Sequence, residues 1–236
     1  MFIFYQPDIR QGTDTLDQEE SRHCVTVLRK KEGDSIRVAD GHGTFYEAVI
    51  EEADPKKCRF KVTHHQSLKP DPFHIHIALA PTKNLDRTEW FVEKAVEIGV
   101  HQISLILCEN AERKVLKTER LERKAVSAMK QSQRPYMPVL GELEKFEDFV
   151  QQQKADHKLI AYLGEQIRPQ LVTAIPPASS YLVLIGPEGD FSEKEVEQAV
   201  SSGFHPVSLG NNRLRTETAG IAACHTLQLI QLLHLD

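Results

Sequence analysis

Four apolar runs constrain the fold more than any other feature of this chain: HIHIALA from residue 74, QISLIL from 102, HKLIAYL from 157 and YLVLIG from 181. Each is nearly continuous instead of alternating, which is how a strand reads when both of its faces are buried. Helical patterning separates the runs, so the carboxy-terminal part is expected to be α/β, with a parallel sheet covered on both sides. A helix over residues 86–98 is expected to start at Asp86, with Glu89 three positions on, and to end at Gly99. Phe91, Ala95 and Ile98 would share one of its faces. Two more helices are expected over residues 192–202 and about 216–233, with the short strand HPVSLG between them.

Before residue 65 or so the period changes. The runs FIFY, SIRVAD, TFYEAVI and CRFKVT are short, and turn material such as Asp40-Gly41-His42-Gly43 separates them, a pattern that suits a small β-barrel or sandwich. One helical stretch over residues 18–28, begun from Asp17, interrupts it. Pro70 and Pro72 hold extended backbone and remove two donors, so residues 67–72 read as a linker. The expected domains are therefore residues 1–68, rich in β-structure, and residues 73–236, α/β. With 236 residues, 40% of them hydrophobic, there is apolar material for a proper core.

Charge and special residues narrow the function classes. A net charge of -5 argues against indiscriminate coating of nucleic acid. Locally, however, eight basic residues face two acidic ones between Arg113 and Arg134, and five face two between Arg22 and Arg37. Such patches fit focused contact with a polyanion, and a solvated helix face fits them as well. Cys24, Cys58, Cys108 and Cys224 stand singly with no CxxC pair, so they read as buried apolar residues. The pairs His64-His65 and His74 with His76 have no matching carboxylate cluster, so no metal is expected. No run approaches the roughly 20 apolar residues of a membrane span, and MFIFYQPDIR lacks the apolar stretch of a signal peptide. A cytoplasmic protein with no membrane partner is expected.

Two strand-to-helix junctions carry the chemistry. In LIGPEGDFSEKE, from Leu184, a buried strand ends in a tight turn, and Ser192 with Glu195 forms the S-x-x-E pattern of a capping box. The loop thus lies at the carboxyl end of a parallel strand, where open α/β sheets bind ligands. Gly186 and Gly189 let backbone approach a ligand closely and Pro187 stiffens the turn, although such a turn also reads as purely structural. It is neither a GxGxxG fingerprint nor a P-loop. In LGNNRLRTETA, from Leu209, Arg213 and Arg215 crowd a helix start, where cations oppose the helix dipole. An anionic partner or a partner loop explains them better, while Thr216, Glu217 and Thr218 also fit ordinary helix-start chemistry.

Together these junctions, about 20 residues apart, resemble the paired carboxy-terminal signatures of the RsmE family, methyltransferases of the SPOUT superfamily. Upstream matches follow in the same order: His23, Val27-Leu28-Arg29 and Gly33-Asp34, then Lys83, EKAVEIGV from Glu93, Ala111-Glu112-Arg113, and Gln131-Ser132 with Arg134 and Pro138. The resemblance spans almost the whole chain. It departs at Asp190, where the family usually has a second glycine, at Glu93, where glutamine is usual, and at Lys130, where glutamate is common.

The resemblance implies a PUA-like β-barrel joined to a trefoil-knotted α/β domain, and a homodimer whose active sites form where two knotted domains meet. It implies S-adenosylmethionine as cofactor and 16S ribosomal RNA of the small ribosomal subunit as partner, with methyl transfer to N3 of a uridine. The cofactor would lie among three strand-end loops: Leu163, Gly164 and Glu165; Ile185, Gly186, Pro187, Glu188 and Gly189; and Leu209, Gly210, Asn211, Arg213 and Leu214, with Thr218 beyond them. Glu217 is the expected group to orient or deprotonate the base, with Glu188 second, and Arg213 or Arg215 would stabilise charge developing on the uracil oxygens. A pairing of Glu217 with Arg215 across the dimer is the alternative. His23, Arg29, Arg113, Arg123 and Arg134 would contact RNA phosphates. The competing readings are a related methyltransferase with another ribosomal or transfer RNA target, a non-catalytic RNA-binding factor, and a dinucleotide-dependent oxidoreductase, which would lack its glycine fingerprint.

Overall fold

The computed structural model describes residues 2–164 and 168–233. The chain divides into two compact units, one of Met1–Pro70 with Val126–Met137, the other of Asp71–Ala125 with Pro138–Asp236. The first unit holds β1 (Ile3–Tyr5), α1 (Gln18–Arg22), β2 (Ser35–Ala39), β3 (Thr44–Glu52) and β4 (Arg59–Ser67). Its sheet runs β1-β2-β3-β4, with β1 parallel to β2 and the other pairings antiparallel. Bulges between Glu47 and Ala48 and between Ile50 and Glu52 bend the β3–β4 pair. Alternate residues Ile36, Val38, Ala48 and Ile50 pack with Phe4, Leu16, Cys24 and Phe60 into one core. Asp17 starts α1 as expected, its carboxylate accepting the Glu20 amide at 2.7 Å. Beyond Arg22 the coil widens into a π-helical turn, His23–Val27. Ser67, expected in the linker, belongs instead to β4, where it pairs with Thr44 in register and through its hydroxyl at 3.0 Å.

In chain order the second unit continues with β5 (His74–Leu79), α2 (Leu85–Ile98), β6 (Gln102–Leu107) and α3 (Glu119–Gln131), whose residues from Val126 group with the first unit. Then come β7 (Val139–Lys145), α4 (Phe146–Gln152), β8 (His157–Ala161), α5 (Leu171–Ala174), β9 (Ser180–Ile185), α6 (Glu193–Ser201), β10 (His205–Val207) and α7 (Thr216–Leu232). Six strands in the order β10-β8-β9-β5-β6-β7 form a sheet in which every pairing is parallel. Consecutive residues of β5 and β9, such as Ile77, Ala78 and Leu79 or Leu182, Val183 and Leu184, are all buried, as the continuous apolar runs require.

Helix ends follow local chemistry with one correction. Asn84, not Asp86, caps α2: its backbone is extended and its side chain accepts the Asp86 amide at 3.1 Å, while Asp86 is already inside the first turn. Glu89 therefore takes no part in a capping box and meets Arg120 at 2.6 Å. Gly99 ends the helix in the left-handed region, with φ 115°. At α6 the capping box is complete: Ser192 Oγ accepts the Glu195 amide at 3.3 Å, and Glu195 Oε2 accepts the Ser192 amide at 2.9 Å. The other oxygen of Glu195 accepts the Glu109 amide at 2.8 Å, which ties the loop after β6 to this junction.

Candidate active site

Strand β9 lies between β5 and β8, and the chain then passes beyond β8 to lay down β10. Such reversals of strand order open a crevice at the carboxyl ends of the strands. Here the loops after β8, β9 and β10, with the first turns of α7, enclose a cavity of about 280 Å³. Leu163, Ile185, Gly186, Pro187, Glu188, Leu209, Gly210, Arg213 and Leu214, all expected from the sequence, line it. Gly164, Gly189 and Asn211 sit in the same loops without lining the cavity, and Glu165 lies outside the described residues. Tyr162, Asp190, Ser208, Asn212, Thr216 and Ala219 line it too and were not expected.

The loops are held together by specific bonds. Buried Thr216 donates its hydroxyl to the Gly186 carbonyl at 2.9 Å, joining the two signature segments. A side chain at Gly186 would press on the Phe191 ring, 3.1 Å from the added carbon, and Gly210 adopts φ 127°. Asp190 adopts φ 62° although it is not glycine, and its carboxylate accepts the Leu163 amide at 2.7 Å and the Phe191 amide at 2.8 Å. The loop after β8 is thereby anchored to the loop after β9. Asn110 supports the same turn by donating to the carbonyls of Gly189 and Asp190 at 3.3 and 3.1 Å.

A second groove, of about 620 Å³, shares Arg213, Leu214 and Arg215 with the cavity. Asp86, Arg87, Trp90, Glu217 and Thr218 complete it, so Thr218 faces the groove and not the cavity. Glu217 stands in the first turn of α7, where the helix dipole favours a carboxylate. Its side chain is only 7% exposed, its nearest cation is Arg87 at 3.8 Å, and its Oε2 has no hydrogen-bond partner. A buried carboxylate so thinly paired is costly unless something else satisfies it. Glu188, by contrast, accepts the Lys83 amide at 3.1 Å. Arg213 reaches the Glu188 carbonyl at 3.4 Å, and both Arg213 and Arg215 are exposed.

The five residues expected to touch RNA are divided between the two units. His23, Arg29 and Arg134 belong to the first unit, Arg113 and Arg123 to the second. Arg29 is exposed at φ 55°, Arg123 is exposed on α3, and His23 and Arg134 are half-buried. Arg113 is half-buried and donates to the carbonyls of Thr82 and Lys83 at 3.1 and 2.6 Å, while Lys83 pairs with Glu112 at 2.7 Å. Among the described residues no group of three or more potential ligands could hold a metal, and no helix is long and apolar enough to cross a membrane.

Fold and site have the form of a two-domain RNA methyltransferase. Residues 69–228 match the RNA methyltransferase domain family, and residues 16–63 match the RNA methyltransferase PUA domain family. The ribosomal RNA small subunit methyltransferase E of Buchnera aphidicola is 30% identical over 96% of this chain and 92% of its own length. This chain belongs to that family. Among solved structures, a probable rRNA-methyltransferase from Porphyromonas gingivalis superposes with a TM-score of 0.93 at 44% identity, covering all of both chains. The ribosomal RNA small subunit methyltransferase E of Neisseria gonorrhoeae, bound to S-adenosyl methionine, superposes with a TM-score of 0.86 at 26% identity over 98% of each chain. The expected architecture, a PUA domain ahead of an α/β methyltransferase domain of the SPOUT type, is thus the one present.

Proposed function

We propose that this protein uses S-adenosylmethionine to methylate N3 of a uridine in 16S ribosomal RNA of the small ribosomal subunit, acting in the cytoplasm as a homodimer of knotted domains. The observation that carries the reading is the shared wall: Arg213, Leu214 and Arg215 separate a loop-bound cavity from a groove that contains an unsatisfied carboxylate oxygen. The cavity fits the cofactor in chemistry. Leu163, Ile185, Leu209 and Leu214 offer apolar walls for a purine, and Gly186 and Gly210, which line the cavity without side chains, leave peptide groups for its polar edge. When bound, S-adenosylmethionine supplies a methyl group already activated by its sulfonium.

The remaining demands fall on this chain. A uridine in the groove must be aligned with the cavity, and its N3 must lose a proton to become nucleophilic. We assign that proton to Glu217, which lines the groove and keeps one carboxylate oxygen unsatisfied, whereas Glu188 already accepts a backbone amide. Arg213 and Arg215 stabilise the negative charge that develops on the uracil oxygens. The groove is wide for one base, and in the proposed homodimer a second copy of the chain would narrow it. Exposed Arg29 and Arg123, with His23 and Arg134, bind RNA phosphates, whereas Arg113 acts by fixing the Lys83 segment.

Deleting the gene should remove N3-methyluridine from small-subunit RNA, and the wild-type gene should restore it. Loss of a methyl group from another nucleotide would assign a different target. An unchanged methylation map, or no calorimetric binding of S-adenosylmethionine, would overturn the reading.

A further inference from the structure

The first unit contains a cavity of about 320 Å³ that the methyl-transfer site does not use. Phe2, Phe4 and His23 supply its aromatic side, Glu20 and Lys130 its charged pair, and Gln131 with Gln133 its amides. Two features set it apart from an ordinary surface hollow. Phe2 is 65% exposed, so an aromatic ring stands in solvent at the cavity, with its centroid 6.3 Å from the His23 ring. Glu20 is only 6% exposed, and although Oε1 pairs with Lys130, Oε2 is buried with no hydrogen-bond partner. A buried acceptor in that state calls for a donor. His23 also opens the π-helical turn, an irregularity that recurs at functional sites.

From these observations we infer that the cavity binds a single unpaired RNA base bearing an exocyclic amino group, outside the methylated uridine's own site. The base stacks on exposed Phe2, its amino group serves Glu20, and the amides of Gln131 and Gln133 meet its remaining polar edge. Stacking on aromatic side chains tolerates any base, whereas an amino donor facing a carboxylate selects adenine, cytosine or guanine over uracil. The inference rests on the reading that this protein acts on RNA, and it adds a second contact that holds the substrate by an unpaired nucleotide.

The test is fluorescence anisotropy of the full-length protein with labelled six-residue oligomers of adenylate, cytidylate and uridylate. Adenylate and cytidylate oligomers should bind more tightly than the uridylate oligomer. Phe2→Ala should weaken binding about tenfold, the loss expected for one stacked base. Glu20→Gln should abolish the preference for amino-bearing bases. Gln133→Gly supports the test where Glu20→Gln fails to fold, because Gln133 has φ 55° and glycine fits that backbone. It should weaken binding without lowering the melting temperature. Equal affinity for all three oligomers, or a Phe2→Ala variant that binds as the wild type does, overturns the inference. Methylation of small-subunit RNA that persists while no oligomer binds would sink the base pocket and leave the proposed function standing. Absence of both activities would sink the function itself.

Discussion

Replacing Asp190 tests whether the cofactor cavity is preformed by its own loops. The carboxylate accepts two backbone amides, from Leu163 and Phe191, at 2.7 and 2.8 Å. Hydrogen bonds to a charged group contribute roughly 1.5–3 kcal/mol each, and the half-exposed position argues for the lower end. Against this stands the left-handed backbone at φ 62°, which costs an L-residue roughly 1 kcal/mol and which glycine adopts freely. Asp190→Gly removes both bonds and relieves that strain, leaving a net loss of about 1.5–3 kcal/mol in the order of the loop after β8. The cofactor must then order the loop as it binds. Its Kd should rise about 10- to 100-fold, at about 1.4 kcal/mol per factor of ten. Asparagine tolerates the same backbone and keeps one acceptor, so Asp190→Asn should cost less, about 3- to 10-fold. Isothermal titration calorimetry with S-adenosylmethionine measures both. An Asp190→Gly protein that binds as tightly as the wild type, or an asparagine variant weaker than the glycine one, would refute the anchoring role.

Three further outcomes are expected. Glu217→Gln should slow methyl transfer by about tenfold or more while leaving cofactor Kd unchanged, and equal losses in both would make Glu217 structural. At Gly220 in α7 an added carbon would lie 2.6 Å from the Phe91 ring and 2.9 Å from Leu79, so Gly220→Ala should destabilise by about 1–3 kcal/mol through overpacking; an unchanged melting temperature would show that α2 and α7 can part freely. Burial and neighbouring His74 hold the His76 ring down to about 3, from an ordinary 6.5. Between those values the unfolded chain binds the extra proton, so stability is fully present above pH 6.5 and is lost as pH falls towards 3, at up to about 1.4 kcal/mol per pH unit. Urea denaturation from pH 7 to 4 should show a shallower slope for His76→Gln, and identical slopes would remove His76 from the acid response.

What could be read from the sequence is what the chain decides locally. Burial on both faces leaves continuous apolar runs, so β5, β6, β8 and β9 were legible, and the Ser192 and Glu195 pair marks its own helix start within four residues. Strand β7 was not legible, because an edge strand need not be apolar: VLGELEK is half polar, lacks a two-residue alternation and has no fully buried residue. Asp86 and Asn84 are both good caps, and only the backbone at Asn84, extended before the first turn, decides between them. The site divides in the same way. Glycines and arginines beside a strand end are visible in one segment, which is how Gly186 and Arg213 were singled out as candidates. Their partners are not, because the order β10-β8-β9-β5 brings together residues far apart in the chain. Asp190 reaches the Leu163 amide 27 residues away, and Asn110 reaches the Asp190 carbonyl across 80. Glu217 could therefore be singled out as a carboxylate at a helix start, but not as one left with Arg87 at 3.8 Å and a free oxygen. That incomplete pairing is a property of the packed helices α2 and α7, and it separates a candidate base from a capping residue.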